Sequence, residues 1–61
     1  MAVVTRVRRY LATTGMAQTV FGRAALNDPR LVEDLIYGRQ PRPYTIARID
    51  AYIAAHPNGA R

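Results

Sequence analysis

The segment from Gln18 to Gly38 constrains the fold of this chain more than any other part of it. Within it, two short runs carry apolar residues at helical spacing, and only Asn27-Asp28-Pro29 separates them. This tripeptide combines a side chain that can cap a helix with a proline at the first helical position, where its missing N–H costs nothing. The segment therefore predicts two helices joined by a tight turn, with Gly38 ending the second.

Length and composition exclude several alternatives. A chain of 61 residues predicts one domain, and a domain of this size buries only about 60% of its unfolded surface. It has no cysteine and a single histidine, His56, which we expect at a helix end, so neither a disulfide nor a metal site is expected. No apolar run approaches the ~20 residues of a membrane span, and arginines interrupt the N-terminal valines. We therefore expect a cytoplasmic or nucleoid-associated domain without metal or cofactor.

Helical periodicity extends over the rest of the chain and predicts an all-α fold of four helices with short loops and room for a short fifth turn. The predicted helices span residues 3–13, 17–25, 29–37 and 43–55, the last beginning at Pro43 or Tyr44. Residues 57–61 are expected to be frayed. The residues predicted to face the core are Val3, Val4, Val7, Tyr10, Leu11, Val20, Phe21, Ala24, Ala25, Val32, Leu35, Ile36, Ile46, Ile49, Tyr52 and Ile53.

The predicted third helix has two chemically different faces. At 100° per residue, Val32, Leu35 and Ile36 point one way. The opposite stripe is polar and contains Arg30, Glu33, Asp34 and Tyr37. Asp34 follows Arg30 by four residues, a spacing that predicts an ion pair between them. One face is thus predicted to join the core, and the other is free to contact a partner.

The charge balance favours an anionic partner. Nine basic residues face four acidic ones, for a net charge of +5, and all nine are arginine. The planar guanidinium suits phosphates and guanine edges. A genome rich in G and C can also replace lysine by arginine, so the net charge is the better evidence for nucleic-acid binding.

A set of residues at fixed steps resembles the helix-turn-helix of the lambda-repressor and Cro-like family of phage and bacterial regulators. The matching residues are Gln18, Phe21, Val32, Leu35, Gly38, Arg39, Pro41, Thr45, Ile46, Arg48 and Ile49. Four positions depart from the family pattern. Gly22 stands where alanine is usual, which we attribute to close packing, and Leu26 replaces the glycine that opens the turn, so Asn27 is expected to supply the left-handed residue. Pro29 and Arg42 replace a base-contacting glutamine and a capping serine.

The resemblance implies that the first helix of the pair braces the second in the DNA major groove. By position it implies phosphate contacts from Gln18, at a helix N-terminus, and from Arg39 and Arg42. Thr19 and Tyr37 complete the predicted phosphate-binding set.

The polar stripe would read the bases. Arg30 would donate to O6 and N7 of guanine, a contact that contributes about 1–3 kcal/mol of discrimination. Glu33 would accept from a cytosine amino group, and Asp34 would either read a base or hold Arg30. The alternatives are solvated surface charges for the arginines and local capping for Gln18. Tyr44 is expected to cover the edge of the core.

The leading functional hypothesis is a sequence-specific double-stranded-DNA-binding regulator, a small repressor or autorepressor that reads a pseudo-palindromic operator as a homodimer. A protein-interaction module of the same fold remains an open alternative, because Glu33 and Asp34 place two acidic residues in the polar stripe. Non-specific nucleoid or nucleic-acid binding also stays open. An enzyme is not expected, since the chain has no cysteine, no second histidine and no glycine-rich phosphate loop.

Overall fold

A computed structural model describes residues 2–59, most of which lie in helices. The helices are α1 (Val3–Thr14), α2 (Gln18–Leu26), α3 (Leu31–Ile36) and α4 (Pro43–Ala55). No strand occurs within the described range. The prediction of an all-α chain with four helices in this order is confirmed, although regular α3 is shorter at both ends than predicted.

Three aromatic rings join three of the helices at the centre of the core. Tyr10 of α1 lies 5.5 Å from Phe21 of α2, measured between ring centroids, and Tyr52 of α4 lies 5.5 Å from Phe21. The Phe21–Tyr52 pair is edge-to-face, an arrangement that aromatic quadrupoles favour. The buried residues of this core are Val7, Tyr10, Phe21, Ala25, Leu31, Val32, Leu35 and Ile49. One shared core therefore receives residues from all four helices.

Part of the predicted core was wrong. Val20 is 50% exposed, Ile36 is 41% exposed, and Ala24 also faces solvent. Gly22 and Leu31 are buried instead. The reason is the direction from which α3 approaches: it packs over the side of α2 that carries Gly22, so the opposite side with Val20 stays outside.

The C-terminal residues fold back onto α1. The Tyr10 hydroxyl donates a hydrogen bond to the His56 carbonyl, and the His56 ring lies 4.4 Å from the Tyr52 ring. Gly59 is buried, and a Cβ built on it would lie 3.6 Å from Cβ of Thr14. Fraying was expected for residues 57–61; Pro57 and Asn58 are exposed and Gly59 is buried, and residues 60 and 61 lie outside the described range.

An exposed ion pair also links α1 to α4. Nε and Nη2 of Arg6 donate to the two carboxylate oxygens of Asp50 at 3.2 and 3.1 Å. This bidentate geometry fixes the relative position of the two helices, although solvent exposure limits its contribution to stability.

Candidate functional site

The turn between α2 and α3 is short, and the backbone N–H groups of Asn27 and Asp28 are hydrogen-bonded to α2. Asn27 has φ 54° and ψ 35°, so it is the left-handed residue that the sequence predicted in place of glycine. Its N–H donates to the Arg23 carbonyl at 2.9 Å, and the Asp28 N–H donates to the Gly22 carbonyl at 3.1 Å. Asparagine tolerates this conformation better than most residues, because its short polar side chain can hydrogen-bond locally.

Gly22 permits the close approach of the turn to α2. A Cβ built on Gly22 would overlap the Asp28 carbonyl oxygen and would lie 3.3 Å from Cβ of Leu31. Glycine inside a helix costs about 1 kcal/mol relative to alanine. The prediction that Gly22 serves close packing is confirmed, and this packing offsets the cost in helix propensity.

Asp28 orders the turn that precedes α3, whose own N-cap residue, Arg30, has no side-chain cap. Oδ1 of Asp28 accepts a hydrogen bond from the Arg30 N–H at 3.1 Å, and the Asp28 carbonyl accepts one from the Leu31 N–H at 3.1 Å. Pro29 and Arg30 therefore form a capped turn that leads into the helix. This turn explains why regular α3 begins at Leu31 rather than at Pro29.

The end of α3 is a Schellman motif. Gly38 has φ 100°, and its N–H donates to the Leu35 carbonyl at 3.2 Å. The Arg39 N–H reaches further back and donates to the Asp34 carbonyl at 2.9 Å. The predicted role of Gly38 at the helix end is confirmed, and the reversal places Arg39 beside Asp34.

The predicted polar stripe of α3 faces solvent. The side chains of Arg30 and Glu33 are 78% and 53% exposed, and Tyr37 is 81% exposed as a residue. Nε of Arg30 lies 3.9 Å from Oε1 of Glu33, which is a loose surface pair of little energetic value. These side chains remain free to rearrange around a partner.

The predicted Arg30–Asp34 pair was wrong. Asp34 pairs with Arg39 instead, with 3.1 Å between Oδ2 and Nη1, and the same Nη1 lies 3.6 Å from Oδ2 of Asp28. The Schellman reversal brings Arg39 back over Asp34, whereas Arg30 lies in the turn outside regular helical geometry. Two arginines thus accompany three carboxylates on this surface, which gives the α3 surface a formal charge of −1.

The first turn of α2 has no side-chain cap. Its N-cap residue is Ala17, and Gln18 and Thr19 are both exposed. The alternative of a local capping role for Gln18 therefore finds no support. The amide groups at this helix end carry partial positive charge that is not satisfied by a side chain.

Arg48 holds the end of α2 against α4, a role that the sequence analysis missed. Its guanidinium lies 5.7 Å from the ring centroid of Tyr44, and its Nη1 donates to the Tyr44 hydroxyl at 2.7 Å. Its Nη2 donates to the Ala25 carbonyl at 3.3 Å, near the negative end of α2. Tyr44 is 66% exposed, so the prediction that it covers the core was wrong. The spacing of four between Tyr44 and Arg48 was the available signal.

The remaining predicted phosphate ligand, Arg42, is the exposed N-cap residue of α4, and its side chain forms no capping hydrogen bond.

Among residues 2–59, no three His, Cys, Asp or Glu side chains group closely enough to hold a metal ion. None of the helices in that range has both the length and the apolar character needed to cross a bilayer. An open groove of about 490 Å³ lies between α1 and α4 and contains none of the predicted site residues.

Comparisons of this chain with family models, with curated proteins and with solved structures find no match. The fold and site define a class, a four-helix domain in which α2 and α3 are joined by a tight turn. The resemblance to the lambda-repressor and Cro-like family stays a prediction from the residues that carry it.

Proposed function

We propose that this protein is a sequence-specific double-stranded-DNA-binding regulator, a small repressor or autorepressor that presents α3 to the major groove. The observation that carries the proposal is the outward polar face of α3 on a helix whose two ends are both fixed. Asp28 holds the turn that leads into its start, and the Schellman motif at Gly38 closes its end. A rigid element with a solvent-exposed polar face is what base reading requires.

The distribution of charge supports an anionic partner. Arg6, Arg30 and Arg39 pair with all four acidic side chains of the chain. Among residues 2–59, the arginines that form no ion pair are Arg8, Arg9, Arg23, Arg42 and Arg48. The surplus charge therefore lies outside the α3 surface, where it would attract the DNA backbone on both sides of the reading helix.

The phosphate contacts would flank α3. Gln18 and Thr19 stand at the uncapped N-terminus of α2, where amide groups and the helix dipole favour an anion. Arg42 and Tyr37 would contact the backbone on the other side. Such contacts set register and affinity but carry no sequence information.

The base contacts would come from Arg30 and Glu33. Arg30 lies one residue before regular α3, at the helix end that enters the groove, and its loose pair with Glu33 breaks at little cost. A single module of this size reads few base pairs. Two copies acting on half-sites about 34 Å apart would supply the missing specificity, so we propose a homodimer in the cytoplasm on nucleoid DNA.

A second candidate function follows from the formal charge of −1 on the α3 surface. A surface of this sign repels phosphates at short range, and it would suit a basic segment of another protein. In this case the fold would serve as a protein-interaction module. DNA affinity would then be weak and insensitive to Arg30→Ala.

The experiment is a selection of bound sequences from a random duplex pool at physiological salt, with wild type, Arg30→Ala and Arg8→Ala. Arg8→Ala is the matched control, because it removes the same charge from an exposed position of α1. We expect a palindromic motif that loses one position per half-site in Arg30→Ala and keeps it in Arg8→Ala. If the wild type enriches no motif, the specific-regulator proposal fails; steep salt dependence would then indicate non-specific binding, and weak affinity a protein partner.

A further inference from the structure

We infer that Arg39 reads the edge of a guanine base instead of binding a phosphate, and that Asp28 and Asp34 hold its guanidinium in the reading position. This inference rests on the proposed function. It replaces the phosphate contact that the resemblance implied for Arg39. Three observations carry it: the backbone bond of Arg39, the direction of its side chain and the charges around its guanidinium.

The backbone fixes where the side chain begins. The Arg39 N–H donates to the Asp34 carbonyl at 2.9 Å, because Gly38 adopts φ 100° and turns the chain back over α3. Arg39 is thereby attached to α3 itself rather than to a free loop. A side chain on such a support keeps its position when the surrounding loop moves.

The side chain runs back along α3. Its Nη1 lies 3.1 Å from Oδ2 of Asp34 and 3.6 Å from Oδ2 of Asp28. Asp28 precedes α3, whereas Cα of Arg39 follows it. The guanidinium of Arg39 therefore lies beside the turn that leads into α3. The six-residue helix is only about 9 Å long, a distance that arginine can cover. The N-terminal end is the part of a reading helix that contacts base edges.

The charges favour a base over a phosphate. A phosphate that approached this guanidinium would also approach two carboxylates, whereas O6 and N7 of guanine are uncharged acceptors. Within residues 2–59, Nε and Nη2 of Arg39 form no hydrogen bond, so their three N–H groups remain for these two acceptors. The carboxylates also restrict the side chain before DNA arrives, which lowers the entropy lost on binding.

The test is the same duplex selection with Arg39→Ala, Asp34→Asn and Arg42→Ala. Asp34→Asn keeps the positive charge of Arg39 but removes the carboxylate that orients it. Arg42 is the matched control, an exposed arginine that follows α3 and forms no ion pair within residues 2–59. Circular dichroism checks that each variant is folded.

We expect Arg39→Ala and Asp34→Asn to lose guanine preference at the same position of each half-site, by about 10- to 100-fold. Arg42→Ala should instead weaken binding evenly and reduce the salt slope by about one. The inference is overturned if Arg39→Ala behaves like Arg42→Ala, whatever motif Asp34→Asn selects. If Arg39→Ala is unfolded, Arg39→Lys decides in its place, because lysine keeps the charge but lacks the planar fork that contacts O6 and N7 together. If the wild type selects no motif, the proposed function itself has failed, and the inference fails with it.

Discussion

Replacing Gly22 with alanine tests how the tight turn is built. In an isolated helix, alanine is about 1 kcal/mol more favourable than glycine, so propensity alone predicts a more stable protein. In the folded domain the added methyl group would overlap the Asp28 carbonyl oxygen and press on Leu31, whose Cβ would lie 3.3 Å away. The two effects have opposite signs, and their sizes decide the outcome.

The overlap should win because the obstructing atom belongs to the backbone. The Asp28 carbonyl accepts from the Leu31 N–H at 3.1 Å, and the Asp28 N–H donates to the Gly22 carbonyl at 3.1 Å, so moving this peptide strains both bonds. Overpacking of this kind costs about 1–3 kcal/mol, and each hydrogen bond that is strained rather than broken costs about 0.5 kcal/mol. After the gain in propensity, we expect a net destabilisation of about 2 kcal/mol.

Thermal and urea denaturation followed by circular dichroism would measure this loss. A domain of this size unfolds with a total of about 3–9 kcal/mol, so a loss of about 2 kcal/mol should lower Tm by about 8–16 °C. The control is Ala24→Gly at an exposed position of the same helix, which should cost about 1 kcal/mol through propensity alone. A Gly22→Ala protein as stable as wild type would refute the steric argument for the turn.

Three further changes test other contacts. Asn27→Ala should destabilise the protein by about 1 kcal/mol, because φ 54° is unfavourable for a residue that has a Cβ but no polar side chain to hydrogen-bond locally. Asn27→Gly should not destabilise it, so equal urea midpoints for the two variants would contradict this prediction. Arg48→Ala should cost about 1 kcal/mol in the free energy of unfolding, since the Ala25 carbonyl of α2 loses the hydrogen bond that Arg48 donates, and Arg48→Lys should recover only part of it. Burial, and then the neighbouring Tyr52, raise the pKa of the Tyr10 phenol, while a backbone hydrogen bond from Gly59 lowers it. The folded state therefore holds this proton more tightly, so the contribution of Tyr10 to stability is fully present below pH 10 and is lost as pH rises through the folded pKa. Tyr10→Phe should reduce this loss. A urea midpoint that does not change between pH 9 and pH 11 would contradict the prediction.

The distribution of charge determines which arginines can attract DNA in the proposed complex. The α3 surface carries a formal charge of −1, so attraction to DNA must come from the arginines outside it. The Debye length at physiological ionic strength is about 8 Å, which is short compared with the 28 Å length of the domain. Arginines outside the proposed interface, such as Arg8, would therefore guide the encounter at low salt, whereas Arg42 and the N-terminus of α2 would determine affinity at physiological salt.

The sequence by itself determined the features that depend on neighbouring residues. The helical spacing placed α1 and α4 to within one residue, and Gly38 marked the end of α3 to within one residue, although regular α3 begins two residues later than predicted. The left-handed conformation of Asn27 was expected from the resemblance, because Leu26 replaces the glycine that opens the turn in that family. Periodicity, capping and turn chemistry act over a few residues, so a linear sequence contains the information needed to predict them.

Only the tertiary structure decided which sides of the helices face each other. Both Val20 and Gly22 fit a helical stripe, and the approach of α3 over Gly22 settled which of them is buried. Spacing suggested that Asp34 pairs with Arg30, but the Schellman reversal placed Arg39 beside it. These outcomes depend on the direction in which one helix crosses another and on where the chain goes after a turn. Both are properties of the packed molecule, because they are fixed by contacts between residues that are distant in the chain or lie beyond the helix end.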